Sequence, residues 1–183
     1  MNKKFNINKQ RMQGGGAGVA AQNKLGFQPN LLHGLKDLCE KFILSDFRIL
    51  EIGCFDGVST ELFCVYAKEV IGVDLYTRAK LKKVIKNNKN LEFHQKSAKQ
   101  YINTNPKKFD LIYIDGDHSY EAAKSDILDS LKVLKKGGIL CGHDMNDICP
   151  GVSKAVYEIF PKITNESMIL HRFSDSSWAV KPE

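Results

Sequence analysis

Short runs of apolar residues alternate along this chain with longer segments in which apolar residues recur every three or four positions. A short apolar run is typical of a buried strand, and the three-to-four spacing is typical of a helix with one buried face. Strands that alternate with helices in this way form a parallel sheet covered by helices on both faces. We therefore predict a single, doubly wound α/β domain. Its strands are expected at 48–52, 70–74, 91–95, 109–115, 139–141, 167–172 and 177–181.

The predicted helices are marked by apolar spacing and by residues that favour helix ends. Residues 30–44 carry leucines and Phe42 at helical spacing, which predicts a helix covering the sheet edge. Thr77 and Ser119 are predicted N-caps, because a hydroxyl at that position can bond an unpaired backbone amide. The cations and glycines of 135–138 are typical of a helix C-terminus. The other helices are predicted at 57–68, 77–88, 98–103, 119–135 and 151–160.

Residues 1–28 differ from the rest of the chain in composition. They include five basic residues, no acidic residue and the glycine-rich run 14–18. Because no strand precedes these glycines, they predict a flexible basic segment rather than a phosphate loop. The segment could also close over a ligand as a lid. We place the folded part at 29–183, within the size of one domain.

The net charge of +6 does not by itself indicate a nucleic-acid partner. Residues 1–24 supply five basic residues, and the remaining 22 basic and 21 acidic residues nearly cancel. A basic tail is most often a solvated chain end, so we expect no nucleic-acid partner. No apolar run reaches the roughly 20 residues of a membrane span, and no secretory signal is visible. The five cysteines lack a C-x-x-C pair, which predicts reduced thiols in a cytoplasmic protein.

The first predicted strand leads into a turn with the pattern Glu51-x-Gly53-x-x-x-Gly57. Gly53 permits a sharp turn and a close approach of the backbone, because it has no Cβ. The helix that follows directs unpaired backbone N–H groups at a ligand. The spacing differs from the G-x-G-x-x-G of dinucleotide-binding proteins. It therefore favours a nucleotide-type ligand without a pyrophosphate.

The second predicted strand ends in an acid, Asp74, which lies 23 positions after Glu51. In doubly wound folds an acid at this place binds the hydroxyls of a ribose. The glycine pattern together with Asp74 resembles the class I S-adenosylmethionine-dependent methyltransferases. The resemblance implies S-adenosylmethionine as the cofactor. It also implies a Rossmann-like, seven-stranded, mostly parallel sheet with an antiparallel C-terminal strand.

In that family the methionine part of the cofactor lies at the first strand end, the ribose at the second and the adenine at the third. Glu51 and Gly53 would lie beside the methionine part, and Asp74 would hold the ribose. Glu51 could instead bond turn amides, and Asp74 could be only a turn residue. Asp56 could cap the following helix, which we favour, or meet the cofactor's amino group. The implied cofactor-binding residues are Glu51, Gly53, Asp56, Gly57, Ser59, Asp74, Leu75, Ser97, Ala98 and Asp115.

Acids and histidines cluster at two further strand ends. The fourth strand is followed by Asp115-Gly116-Asp117-His118 and the fifth by His143-Asp144. Since the carboxyl ends of parallel strands meet at one edge of a sheet, these side chains are expected together. The pattern DGDHSYE followed by GGILCGHD resembles a branch of small-molecule and sugar O-methyltransferases. Relatives of catechol O-methyltransferase hold Mg²⁺ here, which implies Asp115, His143 and Asp144 as metal ligands.

Whether a metal is used stays open, because His143 stands where those relatives place an acid. Mg²⁺ prefers oxygen ligands, so Mn²⁺ or no metal is an alternative. Without a metal, His118 or His143 could be the general base that removes the acceptor's proton, oriented by a carboxylate such as Asp115. Equally, His118 could cap the next helix and His143 could fill a buried polar position.

The resemblance implies an enzyme that methylates oxygen on a small hydroxylated acceptor, such as a sugar or a natural product. Methylation of a base nitrogen is disfavoured, because the Asn/Asp-Pro-Pro-Tyr/Phe motif of such enzymes does not follow the fourth strand. One alternative is a non-catalytic, S-adenosylmethionine-binding scaffold or partner subunit, and a weaker one is an NAD-linked enzyme. The helix at 30–44 could serve a homo-oligomeric interface.

Overall fold

A computed structural model describes residues 32–105, 107–165 and 167–183 with their side chains. The basic segment predicted at 1–28 lies outside these residues. The described chain alternates strands and helices around one sheet. The prediction of a single α/β domain is therefore confirmed.

Seven strands make up the sheet. They are β1 (Arg48–Ile52), β2 (Glu69–Asp74), β3 (Leu91–Gln95), β4 (Phe109–Ile114), β5 (Leu134–Gly142), β6 (His171–Arg172) and β7 (Trp178–Val180). Their order across the sheet is β3-β2-β1-β4-β5-β7-β6. Strands β1 to β5 pair in parallel, whereas β7 runs antiparallel between β5 and β6. The predicted mostly parallel, Rossmann-like sheet with an antiparallel C-terminal strand is confirmed.

Helices cover both faces of this sheet. Those among the described residues are α1 (Leu32–Phe42), α2 (Val58–Tyr66), α3 (Ala79–Asn87), α4 (Ala98–Thr104), α5 (Tyr120–Val133) and α6 (Pro150–Ile159), with a 3-10 turn at Pro161–Ile163. Of the helix predicted at 30–44, the described residues form Leu32–Phe42, and the Phe42 ring lies 5.1 Å from the His171 ring of the edge strand β6. None of these described helices is long and apolar enough to cross a membrane.

Apolar residues on both sides of the strands explain why the sheet is covered on both faces. Ile49 and Leu111 belong to a core cluster that includes residues of α1 and α2. Their neighbours Leu50 and Ile112 belong to a second cluster, which includes residues of α4, α5 and α6. Side chains alternate along a strand, so a strand that is apolar at successive positions must be buried on both sides.

Of the two predicted N-cap positions, that of Thr77 is wrong and that of Ser119 is right. Thr77 is not the N-cap of α3, which begins after Arg78, and its hydroxyl instead donates to Gln95 Oε1 at 2.7 Å. Ser119 does stand at the N-cap of α5, but its side chain makes no capping hydrogen bond.

The segment 135–138 was predicted to end the helix that follows Ser119, but it belongs to β5. Helix α5 ends at Val133, and Leu134 pairs with Phe109 of β4. Residues 135–138 are two lysines and two glycines, and Gly137 has a φ of +73°. Leu134 and Ile139, on either side of the segment, pair with Phe109 and Leu111 of β4, and the register shifts between them, so tertiary contact draws 135–138 into the strand as an irregularity and overrides the local signal.

Candidate functional site

The turn that joins β1 to α2, residues 53–57, forms the first part of the site and is called the glycine turn below. Gly53 and Gly57 have φ values of +86° and +83°, in the left-handed region that favours glycine. The Gly53 amide donates to the Val73 carbonyl at 2.8 Å, and this bond ties the turn to β2. Phe55, which is not a glycine, also has a positive φ of 48°.

Gly53 lies so close to the backbone of Asp115 that no larger residue fits there, a contact that the sequence pattern did not reveal. A Cβ on Gly53 would lie 2.1 Å from the Asp115 carbonyl oxygen, far inside van der Waals contact. The backbone that approaches Gly53 so closely is therefore the end of β4. Gly53 is the point where the glycine turn meets the strand that carries Asp115.

Asp74 bonds to the glycine turn as well as ending β2. Its Oδ2 accepts the Phe55 amide at 2.8 Å, and its Oδ1 accepts the Tyr76 amide at 2.9 Å. Asp74 therefore does stabilise a turn, which was one of the two roles that the sequence allowed. This role is compatible with ribose binding, because each carboxylate oxygen can accept more than one hydrogen bond. The neighbouring Leu75 and Tyr76 are 57% and 64% exposed and could cover a flat ligand.

Two further acids of the first half of the site have clear partners. Glu51 is fully buried, and the Ser59 hydroxyl donates to its Oε1, which links β1 to the first turn of α2. The expectation that Asp56 caps α2 is wrong. Gly57 is the N-cap residue and no side chain caps it, while Asp56 pairs with Lys80 Nζ at 3.2 Å.

The end of β3 lies beside Asp74, because the Lys96 amide donates to the Asp74 carbonyl at 3.0 Å. Ser97 is the N-cap of α4 and forms a capping box with Gln100. In a capping box the two side chains bond each other's backbone amides. Ala98, the first residue of α4, is buried. Ser97 therefore has a structural role whether or not an adenine ring binds here.

The second part of the site is the group Asp115, His118, His143 and Asp144, called the strand-end cluster below. It forms because Ile114 of β4 pairs with Gly142 of β5, so the residues that follow both strands meet. His118 Nε2 lies 2.8 Å from Asp144 Oδ2 and 3.8 Å from Asp115 Oδ1. His143 Nδ1 lies 3.1 Å from Asp144 Oδ1 and 3.8 Å from Asp115 Oδ1. The sequence-predicted residues of these two strand ends are brought together.

Charge coupling within the cluster determines which group carries a proton. The neighbouring carboxylates of Asp115 and Asp144 raise the pKa of His118 to about 11. Burial would raise the pKa of Asp144, but hydrogen bonds from His118 and His143 outweigh it and hold that pKa well below its usual range. His118 is therefore an imidazolium at neutral pH and lies against two carboxylates. Asp144 is also held at a φ of +60°, a backbone conformation that few non-glycine residues adopt.

His143 is almost completely buried, and its Nε2 has no hydrogen-bond partner within the described part of the chain. The same holds for Nε1 of Trp178, which is also buried. Both side chains line a small pocket whose other walls include Ile114, Ala123 and Val152. Because buried polar atoms are nearly always paired, these two nitrogens are suited to a polar group that enters the pocket.

Sequence reasoning did not select Trp178. Its place depends on β7 pairing antiparallel with β5, which sets Trp178 opposite Gly142. A Cβ on Gly142 would lie 3.0 Å from the indole ring, so the glycine makes room for it. The one available signal was that the chain has a single tryptophan in its last predicted strand.

Two groups of donor atoms in the cluster could hold a metal ion. The first is Asp115, His143 and Asp144, the set implied by the sequence, and the second is His118, Asp144 and Cys149. Within each group the donor atoms lie within 4.8 Å of one another. The mixed oxygen and nitrogen donors of the first set suit Mn²⁺ better than Mg²⁺. However, the His118 imidazolium already lies between Asp115 and Asp144, and it would have to move for a cation to bind there.

The cysteines behave as predicted. Cys39, Cys54, Cys64 and Cys141 are buried, Cys149 is half-buried, and all five are free thiols. Burial raises the pKa of Cys54 and Cys141 well above the usual range, so neither is suited to act as a thiolate nucleophile.

Comparisons with known proteins identify a family and a shared fold. A protein family described as a methyltransferase domain matches residues 50–145, the stretch from β1 through Asp144. Protein R132 of Acanthamoeba polyphaga mimivirus is 29% identical over 148 residues, which cover 69% of this chain and 67% of that protein.

Solved structures share the fold at low sequence identity. CalS11, a TDP-rhamnose 3′-O-methyltransferase of calicheamicin biosynthesis, is similar with a TM-score of 0.66 and 18% identity, over 89% of this chain and 84% of that one. SMU.1697c from Streptococcus mutans, solved with S-adenosylhomocysteine, is similar with a TM-score of 0.63 and 14% identity, over 79% of this chain and 93% of that one. At these identities the similarity shows the fold alone.

Proposed function

The chain belongs to the methyltransferase-domain family, which matches more than half of its length, and from this premise we propose an S-adenosylmethionine-dependent O-methyltransferase. The family and the fold support S-adenosylmethionine-dependent methylation. The finer proposal is that the acceptor is a small hydroxylated molecule, such as a sugar or a natural product. The observation that carries it is the strand-end cluster, which brings two imidazoles and two carboxylates to one place.

The glycine turn and Asp74 fit the cofactor by the chemistry of their hydrogen-bonding groups. Asp74 keeps acceptor capacity for the two hydroxyls of a ribose, and the exposed Leu75 beside it suits an adenine edge. We assign the methionine part to the region of Glu51 and Gly53. When bound, S-adenosylmethionine supplies a methyl group on a positively charged sulfur. Asp115, a member of the strand-end cluster, also approaches this region, because its backbone carbonyl lies against Gly53.

The acceptor hydroxyl must lose its proton during methyl transfer, and we assign that proton to His143. Its Nδ1 faces Asp144 and Asp115, which is the arrangement in which carboxylates hold an imidazole in one tautomer. That leaves Nε2 to accept a proton from a group entering the pocket beside Trp178. His118 already holds a proton, so we assign it a different role: it balances the charge of Asp115 and Asp144.

We propose that proton removal needs no metal, because the His118 imidazolium lies where a divalent cation would otherwise balance the carboxylates. If a metal does bind, Asp115, His143 and Asp144 would hold it, and it would polarise the acceptor oxygen. The two cases differ in a simple assay. Activity that survives a strong chelator supports the imidazolium, whereas activity that requires added Mn²⁺ or Mg²⁺ supports the metal.

A non-catalytic, cofactor-binding scaffold or partner subunit is the second candidate. One observation favours it: His118 is protonated, and Nε2 of His143 is buried, so neither imidazole offers a free base to an open cleft. Catalytic contacts often form only when substrate binds, which keeps the enzyme as the first choice.

The test is an acceptor screen with S-adenosylmethionine that carries a labelled methyl group. Sugars, nucleotide-linked sugars and catechols are incubated with the wild-type protein, with His143→Ala and with Asp46→Ala, an exposed control far from the strand ends. We expect label transfer by the wild type and the control but not by His143→Ala. Cofactor binding without transfer to any acceptor would favour the scaffold.

A further inference from the structure

The chain's positive charge is concentrated in one stretch of the folded domain. Residues 78–99 hold eight basic residues and one acidic residue, Glu92. Outside this stretch and residues 1–24, the chain has 14 basic and 20 acidic residues. A near-neutral total for the folded part therefore hides a basic region on an otherwise acidic protein. This region, formed by α3 and the end of β3, is called the basic surface below.

Few of these cations are neutralised by the protein itself. Lys80 pairs with Asp56, and it is the only basic residue of 78–99 that has a carboxylate within ion-pair distance in the described structure. Glu92 does not help, because it pairs with Lys107 and His94 instead. The remaining cations, including Lys82, Lys83 and Lys86, are exposed to solvent.

The arrangement on α3 works against the stability of that helix. Lys82 and Lys86 are four residues apart, and Lys83 and Lys86 are three apart, so like charges face each other on the helix surface. Each such pair costs about 0.2–0.5 kcal/mol, and no acid in α3 offsets it. Alternating charges on the exposed face would make this helix more stable than like charges do.

The basic surface reaches the edge of the sheet where the candidate site lies. Arg78, at the N-cap of α3, lies 4.1 Å over the Phe55 ring of the glycine turn. Phe55 is 41% exposed, and Tyr76, two residues before Arg78, is also exposed. Exposed aromatic rings thus lie beside the cations at this end of the surface.

We propose that the basic surface docks single-stranded RNA. Lysine ammonium groups balance backbone phosphates, and exposed aromatic rings can stack on unpaired bases. A membrane fits less well, because a helix that lies on a bilayer needs an apolar wedge. In α3 the apolar side faces inward, with Leu81 fully buried. The proposal concerns binding only and does not rest on the proposed methyl transfer.

The test measures the affinity of the full chain for a short, fluorescently labelled single-stranded RNA by anisotropy, at low and at physiological salt. The variant Lys82→Gln/Lys83→Gln/Lys86→Gln removes three charges and keeps helix propensity nearly unchanged. The matched control Lys41→Gln/Lys136→Gln/Lys181→Gln removes three exposed charges elsewhere. Residues 1–24 are the same in both, and circular dichroism verifies that both fold.

We expect the α3 variant to bind RNA about tenfold more weakly or worse, with a salt dependence reduced by about 2 in log–log slope, and the control to change by less than about twofold. Equal weakening by both variants would show attraction to net charge alone and would overturn the proposal. A second result would also overturn the proposal: vesicles of anionic lipid bind the wild type but not the α3 variant, while both proteins bind RNA with the same affinity.

Discussion

The two halves of the site satisfy their acids in different ways. In the cofactor half, Asp74 bonds two backbone amides and Glu51 bonds the Ser59 hydroxyl, so these two acids meet neutral groups, while Asp56 pairs with the exposed Lys80. In the catalytic half, the strand-end cluster sets acids directly against imidazoles. Asp74 in the first half is positioned by backbone hydrogen bonds, whereas Asp144 in the second half is positioned by its contacts with two imidazoles.

This difference shows what each half is suited to do. Bonds to two backbone amides fix the position of the Asp74 carboxylate, which suits the repeated binding of a neutral diol. Groups that titrate together respond to one another, so adding or removing one proton changes the others. The catalytic half can therefore take up a proton, whereas the cofactor half provides a fixed shape.

Replacing His143 should have the largest effect, and that effect should be confined to the catalytic half. We expect His143→Ala to lower turnover by about 10²–10⁴-fold, the usual contribution of a general base. Affinity for S-adenosylhomocysteine should stay within about twofold of wild type, because the cofactor half does not depend on the imidazole. Steady-state kinetics and calorimetry on the same preparation give both values. A fully active variant would remove His143 from the mechanism.

Gly53 is where the two halves touch, and replacing it should be the most damaging change to the fold. Gly53→Ala should cost more than the roughly 1–2 kcal/mol of a left-handed backbone alone. The added cost arises because its Cβ would meet the Asp115 carbonyl at 2.1 Å.

Gly57→Ala is the matched control for this prediction. Its φ is also positive, but its Cβ would meet only side-chain atoms, Leu81 Cδ1 and Val84 Cγ2 at 3.0 Å and Val84 Cβ at 3.3 Å. We expect it to stay near the roughly 1–2 kcal/mol of the backbone term. Chemical denaturation compares the two variants, and equal losses would show that the contact with Asp115 is not what requires Gly53.

Asp74→Ala should affect the cofactor half alone. We expect affinity for S-adenosylhomocysteine to fall by about 1–3 kcal/mol, the cost of leaving buried hydroxyls without partners. The variant also loses the bonds to the Phe55 and Tyr76 amides, so thermal unfolding must be measured alongside. If affinity is unchanged in a folded variant, Asp74 is only a turn residue.

The smallest expected effect concerns charge crowding beside the catalytic half. Burial and the charges of Asp129 and Asp117 raise the pKa of Asp126 to about 6. A carboxyl with a raised folded-state pKa destabilises the folded state above that pKa, and the cost disappears as pH falls below its unfolded value. We therefore expect Asp126→Asn to stabilise the protein by about 1–2 kcal/mol at neutral pH and not at all below about pH 4.

The control for Asp126 comes from the cofactor half. Asp56 pairs with the exposed Lys80, so Asp56→Asn should lose a little stability at neutral pH rather than gain it. Denaturation at several pH values separates the two carboxyls. A gain in both variants would indicate a general effect of lowering negative charge.

The strands and the meeting of their ends could be predicted, because both follow from local patterns. Apolar runs such as 109–114 have no competing helical interpretation, and parallel strands always bring their carboxyl ends together. That rule sufficed to group Asp115, His118, His143 and Asp144. The boundary between α5 and β5 could not be predicted, because Leu134 fits a helical spacing and is drawn into the sheet only by Phe109.

The partners of individual side chains also could not be predicted from the sequence. The prediction that Asp56 caps α2 failed because its carboxylate pairs with Lys80. Lys80 is 24 residues away in the chain, and only the fold brings it near. Trp178 was missed because chain order does not reveal that β7 inserts beside β5. The basic surface was hidden because a count over the whole folded part cancels local excesses of opposite sign.

The measurement that tests the account most directly is calorimetric titration of S-adenosylhomocysteine into the wild type, Asp74→Ala and His143→Ala. We expect binding on the order of micromolar for the wild type. We also expect a clear loss of affinity in Asp74→Ala and no change in His143→Ala. If the wild type does not bind, or if His143→Ala loses affinity as Asp74→Ala does, the division into a cofactor half and a catalytic half is wrong.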